Sequence, residues 1–457
     1  MKRKITWFVT SCLAILSLVV VSCAQAPSTI KATTIPTTQA APTTATAAIS
    51  TAKPVAAPAV EKPKYGGALK VGWSTDIIEF DDVVGIPYRS YTLQVTNESL
   101  WSGDWAKGPA GGYGSNESSW TDLTDVWEHK AGYLAESWEI PNKIEGEVGT
   151  IIYHIRKGVR WALNPQSEAS RLVGGRELTA DDVVFSLKQV ITDPRAQLST
   201  SNPEVRVAQI TALDKWTVKV QIPWDAFEAA VSRFSDYVHI VPPEVVKKYG
   251  TMVDWKVSVG TGPFMLTEVV AASSLTLVRN PNYWMKDPIG PGRGNQLPYL
   301  DGVKFLIMTD WSTLLAALRT AKIDWAKGVS MEDAASLKKT APQLLSKDMT
   351  GSKTGLAMRL DRVPFNDIRV RRAMMMAIDF EGINKNLYQG KAQIVTWPNT
   401  YQQEYAAAYL GLDDTEMPAS VKELYTFNPE KAKALLKEAG YPTGFKTTAT
   451  IFNTVAE

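Results

Sequence analysis

Histidine and cysteine are scarce in this chain: three histidines and two cysteines stand among 457 residues. His129, His154 and His239 are far apart, and no H-E-x-x-H pair occurs. The sequence therefore shows no metal-ligand spacing, and neither a metal nor a cofactor is expected. No G-x-S-x-G elbow and no G-x-x-x-x-G-K-[ST] loop is present, which removes the signatures of an esterase-type nucleophile and of ATP hydrolysis. "VGTGPF" (259–264) carries two glycines, but Pro263 interrupts the helix start that a dinucleotide fingerprint needs. An excess of one charge is missing too. Forty-nine basic residues against 47 acidic ones leave a net charge of +2, which gives no reason to expect a nucleic-acid partner. No catalytic residue is assigned. Motif absence does not exclude a carbohydrate-active hydrolase, because two distant carboxylates suffice for one. Tryptophan, by contrast, is plentiful at 15 copies, and such rings serve either a core or an aromatic-lined cleft.

Position explains both cysteines. Met1-Lys2-Arg3-Lys4 precedes the apolar stretch "ITWFVTSCLAILSLVVVSC", which reads as a secretory signal. An uncleaved anchor is the alternative, since the stretch is nearly long enough to span a bilayer. Val20-Val21-Ser22-Cys23 resembles a bacterial lipobox. That resemblance implies a signal peptide over 1–22 and a mature chain beginning at a lipidated Cys23. Two or three acyl chains anchor stably, at about 0.8 kcal/mol per buried CH₂. Cys12 leaves with the signal, so no disulfide is expected within the mature chain. Residues 23–64 are rich in Ala, Thr and Pro. They lack the apolar bulk to offset chain entropy and are expected to form a disordered tether.

The body begins at Lys64-Tyr65-Gly66-Gly67. Strands are expected over 68–71, 150–156, 216–222, 274–280 and 302–308. In "WTVKVQI", Trp216, Val218, Val220 and Ile222 share one face. Val370, Ala373, Met374, Ala377 and Ile378 fall at helical spacing, with Gly390 as the stop. Asn428 caps another helix, with Pro429 at its first position and Gly440 past its end. In "GRELTADDVVFSLKQV" (175–190), Thr179 and Asp182 fit a capping box. Asp181 and Asp182 are then first-turn charges that complement the helix dipole, not a catalytic pair.

Taken in order, the segments resemble the extracytoplasmic solute-binding proteins of family 5, which serve peptide, dipeptide, nickel and related ABC importers. The segments that carry the likeness are "YGGALKVG" (65–72), "LAESWE" (134–139), "YHIRKGVRW" (153–161), "ELTADDVVFSL" (177–187), "VGTGPFMLTE" (259–268), "VRNPNYW" (278–284), "LPYLDGVKF" (297–305), "LLAALRTAKID" (314–324), "VPFNDIRVRRAMMMAID" (363–379) and "NPEKAKALLKEAGYPTGF" (428–445). Three departures stand out. "ALNPQSEASRLVGG" (162–175) replaces a short His-Asp-Gly turn, Asp361 stands where asparagine is frequent, and Ala321 stands where glycine is frequent.

The resemblance implies an α/β fold of the type II periplasmic-binding-protein kind, with two lobes and an extra subdomain inserted in the first. The expected parts are 65–102 and 225–308 for the first lobe, 103–224 for the insert, and 309–457 for a second lobe. Relatives continue well beyond "EAGYPTGF", so the second lobe is expected to be incomplete. The implied function is a non-enzymatic receptor that closes two lobes around a solute, peptides first, with a nickel chelate or another small solute as the alternative. Its implied partners are an ABC permease with its ATPase subunits, and the membrane through Cys23, outside the cytoplasm. A monomer is expected. Candidate ligand contacts are Trp73 and Asp76 after the first strand, the turn Gly260-Thr261-Gly262, the aromatics Trp311, Trp397 and Tyr401, and Arg359 for a ligand carboxylate. Each has a structural alternative: core packing for the rings, a tight turn for the glycines, a surface ion pair for the arginine.

Overall fold

A computed structural model of the chain describes residues 62–84, 91–105, 130–141, 147–347, 355–396 and 409–450. Among the described residues, strands between Ala68 and Ile307 form two four-stranded sheets and a small two-stranded one. Strand β1 (Ala68–Trp73) is followed by β2 (Trp101–Gly103), β3 (Lys130–Gly132), β4 (Ala135–Glu139), β5 (Val148–Ile155), β6 (Gln209–Asp214), β7 (Thr217–Pro223), β8 (Phe264–Val270), β9 (Ser274–Arg279) and β10 (Gly302–Ile307).

The first sheet has the order β1-β10-β9-β8. Its β1 and β10 are parallel, aligned from Ala68 opposite Gly302 to Trp73 opposite Ile307, while β10, β9 and β8 are antiparallel. One face buries Val71, Trp73, Phe264, Leu266, Leu275, Leu277, Val303 and Phe305. Helix Trp311–Arg319 approaches the other face of β1 through Leu314, and Ile323 joins it there. A Cβ at Gly72 would fall 2.5 Å from the Ile323 Cδ1 and 3.4 Å from the Leu314 Cγ. The expected start of the second lobe at 309 thus falls between β10 and a helix that packs on β1.

The second sheet, β4-β5-β7-β6, is antiparallel throughout. Strict alternation in β7 buries Val218, Val220 and Ile222, the period-2 pattern of a half-buried strand. Helix Ala180–Thr192 supplies Val183, Leu187, Val190 and Ile191 to the same core. Helix Trp224–Asp236 supplies Phe227, Ala230, Val231 and Phe234, so this core continues past the expected limit at 224.

The capping box at Thr179 forms, and Asp182 does more than cap. Its carboxylate accepts from the Thr179 N–H at 2.8 Å and from both Arg176 terminal nitrogens at 2.8 and 2.6 Å. The same guanidinium also holds Glu244. These carboxylates raise the Arg176 pKa, Asp182 first. The longer segment at 162–175 folds on itself. Ser167 caps helix Glu168–Val173, Gly174 closes it at φ 66°, and the Ser170 hydroxyl bridges the Asn164 N–H and the Ala162 carbonyl.

Later in the chain, the helix expected to run from Val370 toward Gly390 is two helices, and Ala377 and Ile378 lie in the link between them. Ile368–Met376 ends at Ala377, and Asp379 caps Phe380–Leu387 by accepting from the Gly382 N–H at 2.8 Å. Helix Pro429–Glu438 starts at Asn428, which accepts from the Lys431 N–H, and packs Ala432 against Ala373 and Met376. Ala321 has φ 54°. That left-handed angle is one that glycine adopts without the strain a Cβ brings.

Candidate ligand-binding site

Strand β1 has parallel neighbours on both sides at its carboxyl end. On one side lies β10; on the other, Val71 bridges Trp325. The Asp324 carboxylate fixes the second neighbour by accepting from the Lys70 N–H at 2.8 Å, while the Gly72 N–H donates to the Trp325 carbonyl at 2.9 Å. The carboxyl ends of parallel strands are where open α/β sheets receive ligands.

Three rings and a cation meet there. Trp73 meets Tyr91 edge-on with centroids 4.5 Å apart, and Trp325 stacks on Trp73 at 6.5 Å and 16°. Phe305 supports Trp73 from within the core at 5.9 Å. The Lys327 Nζ stands 4.7 Å from the Trp73 centroid and 5.2 Å from that of Tyr91, within cation–π reach of both. Trp73 is buried, whereas Trp325 is 43% exposed and Lys327 is open to solvent. Desolvation by the surrounding protein lowers the Lys327 pKa from the usual lysine range. The corner is thus apolar, flat-walled and positively charged.

The other expected contacts lie elsewhere. Asp76 is engaged by backbone: its carboxylate accepts from the Ile77 and Ala272 N–H groups, both at 3.0 Å, which ties it to the β8–β9 turn. Trp311 donates from its indole to the Asp333 carboxylate at 3.0 Å and packs beside Leu314 and Leu318. Arg359 is exposed and held by Asp361 at 2.7 Å. Trp397, Tyr401 and the lipidation candidate Cys23 fall outside the described residues.

Gly260-Thr261-Gly262 packs into a junction of several segments. The Gly262 N–H donates to the Thr96 carbonyl, and a Cβ at Gly260 would fall 1.8 Å from that same oxygen, so only glycine permits the approach. Beside Thr261 lies Glu98, which is buried and which the sequence did not single out. Both its carboxyl oxygens accept from the Trp284 indole, at 3.0 and 2.9 Å. Tyr133 and Tyr283, joined at 2.9 Å, face it. Arg156 lies over the Trp284 ring, its guanidinium donating to the Tyr133 and Gly132 carbonyls. Burial pushes the Glu98 pKa up to about 7, against the opposing pull of the indole and hydroxyl donors.

Of the candidate contacts that are described, Trp73 lies in this corner, beside Tyr91, Trp325 and Lys327, which the sequence reading did not single out. The one available signal was Trp325 following "KID", a segment of the resemblance. Among the described residues no group of three His, Cys, Asp or Glu side chains is placed to hold a metal ion.

Comparison with solved structures defines the class. The fold is that of two-lobe periplasmic binding proteins. A periplasmic binding protein from Helicobacter pylori in complex with the peptide STSA matches with a TM-score of 0.64 at 23% identity, covering 84% of this chain and 68% of that one. An oligopeptide-binding protein from Bacillus subtilis in complex with a nonapeptide matches at 0.55 and 21%, covering 83% and 65%. The family follows from sequence: the model of bacterial extracellular solute-binding proteins, family 5 Middle, matches residues 131–457, and the chain belongs to that family. Its relatives include the dipeptide-binding protein of Escherichia coli K12, 28% identical over 68% of this chain and 55% of that protein. Heme-binding protein A of Haemophilus influenzae is 27% identical over 69% and 54%. The chain spans about half the length of these curated relatives.

Proposed function

We propose that the chain serves as an extracytoplasmic receptor that presents a short peptide to an ABC permease and its ATPase subunits, closing two lobes around the ligand. The family match over 131–457 carries this reading. Relatives named for dipeptide and glutathione binding, and solved relatives holding a tetrapeptide and a nonapeptide, support peptides as the solute class. A small carboxylated solute is the second reading, favoured by the matching structure that holds mannopinic acid. The ligand contacts both lobes only when they are closed, so binding shifts the population toward the form a permease would recognise.

In this reading the sheet β1-β10-β9-β8 belongs to the first lobe, the sheet β4-β5-β7-β6 with its helices to the insert, and the second lobe follows β10. Trp73 lines the cleft. Cys23 carries the lipid anchor, 23–64 the tether, and the receptor acts as a monomer. Calorimetry and thermal shift on the full chain with a library of di- to pentapeptides test the proposal. Saturable binding with a raised melting temperature is expected, and no response to any peptide would remove peptides as the solute.

A further inference from the structure

The corner at the end of β1 holds a cation whose charge has no carboxylate partner among the described residues. Aromatic faces attract an ammonium electrostatically but offer no lone pair in its plane of approach. The Lys327 ammonium has three N–H donors, and no hydrogen bond or ion pair to a described residue engages them; its neighbours are the Trp73 and Tyr91 rings. Among the described residues Lys157 over Trp216 and Lys247 over Phe185 also face a ring without a carboxylate, but neither stands at the carboxyl end of a parallel strand, and other cations are matched. Arg176 holds two carboxylates, Arg279 pairs with Asp301, and Arg359 pairs with Asp361.

The rings also fix where the charge sits. Trp73 is anchored in the core by Phe305, and Tyr91 meets it edge-on. Together they form two walls against which the lysine ammonium rests, so less side-chain freedom is lost when an anion arrives. Trp325, stacked on Trp73 and 43% exposed, adds a flat apolar surface next to the charge. A carboxylate attached to a planar or apolar group meets both features at once.

We propose that Lys327, held by Trp73 and Tyr91, is the subsite for a carboxylate of the ligand, which for a peptide without acidic side chains is its terminal carboxylate. This rests on the receptor reading and assigns a polarity to it: the carboxyl end of the ligand lies at the β1 end of the first lobe, with the neighbouring residue's flat or apolar face against Trp325.

The test compares forms of one peptide on the full chain. The tightest-binding peptide of a library lacking Asp and Glu is measured by calorimetry as the free acid, as the C-terminal amide and as the N-acetylated acid. The free acid is expected to bind about 10-fold tighter than the amide, the size of one charge-assisted hydrogen bond at a solvent-open site. Lys327→Met is expected to bring the free acid down to the amide's affinity and to leave the amide unchanged. Lys327→Arg is expected to keep the discrimination. Equal affinity of free acid and amide for the unsubstituted protein overturns the subsite while leaving the receptor reading intact, and this arm needs no variant to fold. Tighter binding of the free amine by Lys327→Met, lost on N-acetylation, also overturns it, because the rings would then receive a ligand cation in place of the lysine. No binding of any peptide removes peptides as the solute and, with them, the subsite for a terminal carboxylate.

Discussion

Glu98→Gln isolates the energetic cost of a buried carboxyl. In the folded chain the Glu98 pKa stands at about 7 against an ordinary value of 4.5, with burial the largest cause. At roughly 1.4 kcal/mol for each tenfold change in proton affinity, that rise amounts to about 3 kcal/mol. Because the folded pKa is raised, the folded state favours the neutral acid. Stability is intact below pH 4.5, falls as the pH rises through the window from 4.5 to about 7, and is lower by the full amount above it. Glutamine keeps a carbonyl oxygen for the Trp284 indole and cannot ionise. The variant is therefore expected to match the original protein near pH 4 and to exceed its stability by up to about 3 kcal/mol near pH 8. Urea denaturation followed by tryptophan fluorescence measures both proteins at both pH values. The difference between the two differences cancels every other titrating group. A gap between the proteins that does not change with pH would refute the reasoning, since Glu98 would then be charged in the folded and the unfolded chain alike.

The other expectations are structural. Asp182→Asn loses the paired contact with Arg176 and weakens the cap on Thr179. It should cost about 2–3 kcal/mol in a denaturation series, with peptide affinity unchanged, since the charge-assisted bonds disappear and Arg176 keeps one carboxylate, Glu244. Gly260→Ala drives a methyl toward the Thr96 carbonyl and should cost about 2–3 kcal/mol, read as a lower melting temperature. Ala321→Gly relieves a left-handed backbone and should stabilise by about 1 kcal/mol in urea; a loss of stability would mean that φ 54° is not strained there.

What the sequence revealed follows from distance along the chain. The alternation in β7 and the box formed by Thr179 and Asp182 are complete within a few residues, and both were legible. Asp182's second role was not, because Arg176 joins it to Glu244, 68 positions from that arginine. The helix expected to run on toward Gly390 shows a different limit. Its apolar spacing continues through Ile378, but the Asp379 side chain takes the Gly382 N–H and starts a new helix, a local competition that periodicity alone does not register. Glu98 sits in the polar stretch "TNES" and reads as a surface acid; its burial comes with Tyr133, Thr261, Tyr283 and Trp284, contributed by three later segments.

The surplus of tryptophan makes the same point residue by residue. Composition leaves both core and cleft open as uses of an indole. Trp101 and Trp161 are fully buried in the core of the second sheet, while Trp284 spends its indole N–H on the buried Glu98. Trp73 is also a core residue by burial, yet its ring carries the Lys327 ammonium. Burial therefore does not separate the structural rings from the functional candidate. The other three rings face cations too, Lys130, Arg176 and Arg156; what separates Trp73 is that its cation is an ammonium open to solvent at the end of β1, with no carboxylate partner among the described residues. That neighbour comes from position 327, brought beside residue 73 by the bridge between Val71 and Trp325. The pairing of strands, rather than any motif, creates the corner, and the reading of a ligand carboxylate there stands or falls with that one lysine.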